Sequence, residues 1–150
     1  MIKQQIIKTP IGTIKITLLN EMVTNIKLHS NEAQTDNAQS IAKTQLLNYF
    51  KNPLQEFSFY YEFQGSDFQK KVCYALQDIP PGKTLTYGEL AKKLNSHPRA
   101  VGQALKRNPL PILLPCHRVV SQTGIGGFSG AREGMKITSK LWLLNHETGS

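Results

Sequence analysis

Cys116, His117 and Arg118 stand together at the end of a run from Asn108 in which Pro109, Pro111 and Pro115 bracket what reads as a short apolar strand. A thiol attacks only as its thiolate, and a neighbouring imidazole or guanidinium lowers its pKa toward working pH, so Cys-His-Arg suits a nucleophile. Adjacency alone does not make a catalytic pair. Successive side chains of an extended segment point to opposite sides, so His117 needs a turn or a bridging water to reach the sulfur. On residue types alone Cys116 is either a reactive thiol or a small core cysteine. Further along, His146-Glu147 closes the last helical pattern of the chain. An acid there opposes the helix macrodipole, which leaves Glu147 either partnered by a buried histidine or, as pattern alone favours, frayed and solvated.

Between these groups lies a glycine-rich stretch, Gly124 to Gly130, with Phe128 and Ser129 near its end. It could bring backbone N–H groups against a ligand, but it lacks the Gly-Lys-Ser/Thr ending of a phosphate loop.

The elements that must position this chemistry follow from periodicity and punctuation. Residues 13–19 put Ile14, Ile16 and Leu18 on one face, and residues 22–28 alternate Met22, Thr24, Ile26 and Leu28 after an Asn20-Glu21 turn. Residues 2–8 read as a partner strand. After a polar loop over 30–39, Ala42, Leu46, Tyr49 and Phe50 recur at helical spacing up to Pro53, and residues 57–63 alternate again as a strand. Ser66 with Gln69 forms a capping box for a helix carrying Phe68, Val72, Ala75, Leu76 and Ile79, with Cys73 at the edge of that stripe. A second box, Thr86 with Glu89, opens a short helix carrying Leu90, Ala91 and Leu94. Three residues, 95–97, connect it to a helix started by Pro98 and running to about 108, with Val101, Ala104 and Leu105 inward. Two tightly joined helices, the second presenting Arg99, Gln103 and Lys106 outward, make a helix-turn-helix pattern. Such hairpins also occur in proteins that never touch DNA. Gly102 costs that helix about 1 kcal/mol relative to alanine, a cost that a close helix neighbour or a close nucleic acid would each explain. The final helix is expected over residues 134–146 with Ile137, Leu141 and Leu144 inward.

The charge is regional. Of a formal net +8, residues 1–63 hold six cations against five acids, and residues 64–150 hold twelve against five. From Lys92 to Arg132 there are seven cations and no acid, the footprint of a polyanion-binding face or of a merely solvated one. With 39% hydrophobic residues in 150 the chain can bury a core without staples, and its longest apolar runs are far too short to cross a membrane. No secretory block opens it. Cys73 and Cys116 are the only cysteines, and neither lies in a CxxC or Cys/His cluster, so no metal site and two free thiols in a reducing compartment are expected.

Pro115-Cys116-His117-Arg118-Val119, preceded by Asn108-Pro109 and followed by Gly127-Phe128-Ser129-Gly130 and Trp142-Leu143-Leu144 to Glu147, closely resembles the O6-alkylguanine-DNA alkyltransferases. The likeness runs in order through residues 65–147, including Tyr87 and Arg99-Ala100-Val101-Gly102. The resemblance implies an α/β fold with a small strand-rich, ribonuclease H-like α+β scaffold domain over residues 1–64. A mostly helical, winged helix-turn-helix-like domain for DNA binding and alkyl transfer would follow over residues 65–150. It implies that Cys116 accepts the alkyl group, that His117 takes its proton through a water, and that Glu147 orients the imidazole. Asn108 would support the turn beside the nucleophile, and Tyr87 would protonate the leaving guanine. Val119, Phe128, Ser129, Gly130, Leu105 and Pro111 would hold the base. Phe128 stands where many relatives have tyrosine, which removes one hydroxyl from that pocket. Arg99 would enter the base stack, with Ala100, Gly102, Gln103 and Lys106 on the DNA. The implied partner is duplex DNA carrying O6-alkylguanine, with O4-alkylthymine as a second substrate. No cofactor is implied, nor is an obligate protein partner. The expected setting is a cytoplasmic, nucleoid-associated monomer. The rival readings are a lesion-binding module and a helix-turn-helix regulator, both without transfer.

Overall fold

Alternating β-branched residues build an antiparallel meander from β1 (Ile2–Thr9), β2 (Gly12–Leu19) and β3 (Met22–Lys27), paired in sequence order. Ile14, Ile16 and Leu18 face the core as their spacing requires. On β3 the alternation breaks: Thr17 pairs with Asn25 but Leu18 with Val23, so Thr24 is an extra, bulged residue. The bulge turns Val23 inward in place of Met22.

The computed structural model describes residues 1–33, 38–124, 126 and 135–149. The chain divides into two units, Met1–Gln64 with Pro109–Pro111, and Gly65–Asn108 with Ile112–Ser150. In the first, α1 (Ile41–Tyr49) is capped by Ser40, whose hydroxyl accepts from Lys43 N at 3.0 Å and donates to Gln5 of β1 at 2.6 Å. Residues 57–63 form no strand. Only Tyr61 bridges to Val23, although Phe59 and Phe63 still alternate inward. Pro109–Pro111 joins this unit because the Pro109 carbonyl accepts from Ile26 N at 2.9 Å. The apolar segment before Cys116 is likewise a chain of turns and not a strand, and Ile112 sits at φ +76°, a strained value for a β-branched residue.

The second unit is mostly helical. It holds α2 (Asp67–Ala75), continued by a 3₁₀ turn at Leu76–Asp78, then β4 (Leu85–Thr86), α3 (Tyr87–Lys93) and α4 (Pro98–Lys106). A 3₁₀ turn at Cys116–Arg118, β5 (Val119–Val120) parallel to β4, and α5 (Met135–Thr148) complete it. Ser66 caps α2 through Gln69 N, but the Gln69 side chain donates to Arg107 O at 3.0 Å, so the expected box is half made. The Thr86–Glu89 box on α3 is complete. Val101, Ala104 and Leu105 are buried on α4. Two apolar expectations fail: Phe68 is exposed on α2, and α5 buries Ser139, Lys140 and Leu143 while Leu141 is exposed. The whole is a mixed α/β chain, with five α-helices and two small sheets among the described residues.

Candidate active site

A 3₁₀ turn, not an extended strand, presents Cys116 and His117. Cys116 N donates to Leu114 O at 2.7 Å and Arg118 N to Pro115 O at 3.0 Å, closing the backbone tightly on the proline. Asn108 braces the same turn: its Nδ2 donates to Leu114 O at 2.8 Å, and its side chain also hydrogen-bonds that of Cys116. β5 leads directly out of the turn and pairs Val119 with Leu85, two residues before Tyr87 at the start of α3. From α5 come Lys140 and Glu147, seven residues apart and therefore on one helical face.

These elements bring together a buried polar array. His117 Nε2 lies 2.8 Å from Glu147 Oε2, with the two side chains 0% and 1% exposed. An ionised carboxylate only accepts, so Nε2 carries the hydrogen and Nδ1 is left with a lone pair. Nδ1 is buried and has no hydrogen-bond partner among the described residues. Arg118 donates from Nε to Glu147 Oε1 at 2.9 Å, from Nη2 to Oε2 at 2.7 Å, and from Nη1 to Ile79 O at 2.6 Å. Glu147 is thus partnered and buried, which overturns the solvated reading of its place at a helix end. Gly82, at φ +86°, lies so close to the Glu147 carbonyl that an added Cβ would come within 3.3 Å, and the Pro80-Pro81-Gly82 turn therefore needs its glycine.

Burial decides the ionisation of the group. It raises the Cys116 thiol above its ordinary value, opposed by the Asn108 hydrogen bond, the charge of Lys140 and the backbone N–H of Cys116. It also lowers His117. The bond and charge of Glu147 oppose that shift, while Arg118 and Lys140 add to it. Lys140 is pushed down to about 8 by burial, resisted by the charge of Cys116. Its Nζ donates to the Val119 carbonyl at 2.7 Å and lies 5.9 Å from the centre of the Tyr87 ring. The resting site therefore holds a neutral thiol and a neutral imidazole, with the Lys140 cation close enough to stabilise a thiolate once formed.

A pH dependence follows. With His117 lowered in the fold, the unfolded chain binds the proton more readily. Stability is full above the ordinary histidine pKa of about 6.5 and is lost as the pH falls below it. Thermal melts between about pH 7.5 and pH 5 should show this acid loss, reduced in His117→Asn. Equal slopes in both proteins would assign the loss elsewhere.

The remaining predicted residues are placed as follows. Tyr87 is half-buried, Leu105 and Val119 are buried, and Pro111 is buried within the first unit. Arg99, Gln103 and Lys106 are exposed on α4, with Ala100 half-buried. Among the described residues a Cβ built on Gly102 would meet nothing within 4 Å, so no described helix requires that glycine. Phe128, Ser129 and Gly130 lie outside the described residues. Sequence reasoning missed Lys140, for which a lysine in phase with Leu143 and Glu147 was the signal. Within the glycine-rich stretch, Gly126, at φ +75°, passes so close to Tyr87 that a Cβ would come within 2.9 Å of its ring. Among the described residues no group of three His, Cys, Asp or Glu is arranged to hold a metal ion.

Comparison with known proteins matches residues 67–149 to the family model of the 6-O-methylguanine DNA methyltransferase DNA-binding domain. A methylated-DNA–protein-cysteine methyltransferase of Methanocaldococcus jannaschii is 52% identical over 85 residues, covering 57% of this chain and 51% of that protein. The chain thus spans about half the length of that relative. The crystal structure of Mycobacterium tuberculosis O6-methylguanine methyltransferase superimposes with a TM-score of 0.86 at 33% identity, covering 99% of this chain and 94% of the other. The structure of OGT from the same organism in complex with DNA gives 0.83 at 32% identity, over 97% and 93%.

Proposed function

This chain belongs to the 6-O-methylguanine DNA methyltransferase family, and from that premise we propose that it repairs alkylated DNA by taking the alkyl group onto Cys116. The observation that carries this reading is the buried relay. His117 turns Nε2 to Glu147 and keeps Nδ1 unbonded beside the residue that holds the thiol. A water bridges Sγ and Nδ1 and passes the thiol proton to the imidazole, which Glu147 stabilises as imidazolium. The thiolate attacks the alkyl carbon of O6-alkylguanine, and the S–C bond forms as the C–O6 bond breaks. Tyr87 supplies a proton to the departing base, and its phenolate regains one as His117 releases the proton it took from the thiol. O4-alkylthymine offers the same bond to the same nucleophile.

Because the O6 group is shielded in duplex DNA, the base must be turned out at a cost of a few kcal/mol. The outer face of α4 is suited to extruding it, since Arg99, Gln103 and Lys106 are exposed and the open space over Gly102 beside small Ala100 admits a closely approaching backbone. Repair must work in any sequence, so this helix rests on phosphates and groove shape more than on base edges. Arg99 fills the vacated stack. Val119 and Leu105, with Phe128, Ser129 and Gly130, hold the extruded base. We assign the first domain, residues 1–64, a ribonuclease H-like scaffold role, and residues 65–150 a winged helix-turn-helix-like form. The working protein is a monomer of the nucleoid.

Transfer yields a thioether, which is not a leaving group for any side chain described, so each chain acts once. With excess O6-methylguanine duplex, lesion loss should stop at one per chain, and continued turnover would contradict the reading. Arg99→Ala should leave transfer from the free modified base unchanged while slowing transfer from duplex DNA about tenfold or more. Single-turnover rates on both substrates check this, and equal loss on both would remove the flipping role from Arg99.

A further inference from the structure

Arg118 has no part in the relay as described, yet its bonds are more constrained than those of any group there. Its guanidinium holds both oxygens of Glu147, 29 residues away, at 2.9 and 2.7 Å, and the carbonyl of Ile79, 39 residues away, at 2.6 Å. One side chain thus ties together the nucleophile turn, the end of α5 and the chain leaving the turn after α2. An arginine presents its donors as a rigid planar fork, so this arrangement fixes the direction of the carboxylate as well as its charge.

We infer that Arg118 is a positioning residue for the proton relay: by gripping both oxygens of Glu147 it aims Oε2 at His117 and shares that oxygen's charge, so that the imidazole rests neutral with Nδ1 ready to accept a proton. The inference rests on the alkyl-transfer reading of Cys116 and deepens it.

Charge balance in a dry site decides the resting state. The charged groups facing His117 are Glu147 and Lys140 from α5 and Arg118 from its own turn. If Glu147 were the only charged partner, the buried pair would be anionic with a neutral imidazole and neutral with an imidazolium. The carboxylate, unopposed by any cation, would then draw the ring toward the imidazolium, which cannot take a proton from Cys116, against the burial that lowers His117. Arg118 offsets that pull. The Arg118–Glu147 pair is already neutral, so protonating His117 at rest would leave the cluster with an uncompensated cation, and Lys140 adds to the same side. When the proton instead comes from Sγ, a thiolate and an imidazolium appear together and the net charge does not change. The relay is therefore closed to protons from solvent and open to the one from Cys116. The lowering of His117 by burial, Arg118 and Lys140 agrees with this.

The test reads His117 directly by ¹⁵N NMR of its ring nitrogens across pH, alongside single-turnover transfer from O6-methylguanine duplex. In the unaltered protein at about pH 7 His117 should be a neutral Nε2–H tautomer. In Arg118→Met its titration should move to higher pH, so that a larger share is imidazolium at that pH. Transfer should fall about tenfold or more and recover as the pH is raised, with the onset displaced to the alkaline side. Arg118→Lys keeps the cation without the fork, and should keep His117 neutral while transfer slows at every pH. A protonated His117 in the unaltered protein would overturn the inference without any variant. So would a folded Arg118→Met whose His117 titrates as before. Should Arg118→Met not fold, the unaltered spectrum and Arg118→Lys decide. A protein whose His117 behaves as described but whose Cys116 gains no alkyl group would sink the repair reading and leave the clamp standing.

Discussion

Serine in place of Cys116 is expected to take up no alkyl group from O6-alkylguanine DNA, with folding and lesion binding retained. The substitution changes one buried atom and nearly preserves its volume, so the packing around a side chain 6% exposed is little disturbed. The chemistry is lost because a hydroxyl is a weak nucleophile at its free pKa, and the burial that already raises the thiol opposes an alkoxide at least as strongly. Cys73 will not stand in for it. That thiol is fully buried and pushed up to about 12 by burial, with the charge of Cys116 adding to the shift. Asn108, Lys140 and the turn's own N–H all favour a thiolate at Cys116, whereas burial and the charge of Cys116 both act against one at Cys73. Cys73→Ser should accordingly transfer at close to the unaltered rate. Lesion loss from labelled duplex measures both variants, and residual uptake by Cys116→Ser would assign the nucleophile to another residue.

Glu147→Gln should be the most damaging change outside the nucleophile, in both stability and rate. Its carboxylate is 1% exposed and shared between His117 and Arg118. An amide can still accept from one of them, but its NH₂ then faces a donor, and the Arg118 cation is left uncompensated in the interior. Removing one partner of a buried ion pair costs about 3–5 kcal/mol, which denaturant titration would show as a shifted midpoint. Loss of the charge that stabilises the imidazolium, together with a free choice of tautomer, should slow transfer by about 10² to 10⁴-fold. A variant as stable as the parent, with unchanged single-turnover transfer, would show that the array is not the relay.

Local rules made the helical part of the second unit readable from sequence. Ser66 and Thr86 cap where their side chains can reach a backbone N–H, Pro98 starts α4, and apolar spacing sends Val101, Ala104 and Leu105 inward while Arg99, Gln103 and Lys106 stay out. Strands need a partner, and alternation does not supply one. Residues 57–63 keep the burial pattern of a strand but find only the single bridge from Tyr61 to Val23. The prolines before Cys116 favour turns where an apolar run suggested extension. The α5 face was misjudged because its inward residues are partly polar: Lys140 is wholly buried, bonded to the Val119 carbonyl, and an apolar stripe through Leu141 points the other way.

The site was legible in type before it was legible in geometry. Cys116, His117 and Asn108 are close in sequence, so the bracing turn could be suspected from the motif. The partners of Glu147 lie 29 and 30 residues away, beyond any local rule, and the helix macrodipole argued against burying an acid there. What offsets that opposition is the Arg118 fork, a non-local contact. Gly102 shows the converse. Its cost in the helix was visible in the sequence, but only the open space around it among the described residues removes a neighbouring helix as the explanation.

The most direct test of the central claim is intact and peptide mass spectrometry after the protein meets excess duplex DNA containing one O6-methylguanine. The expected result is a gain of one methylene on the peptide carrying Cys116, saturating at one per chain and absent in Cys116→Ser. Tight binding of the lesion with no mass gain, or a gain on any other residue, would contradict it.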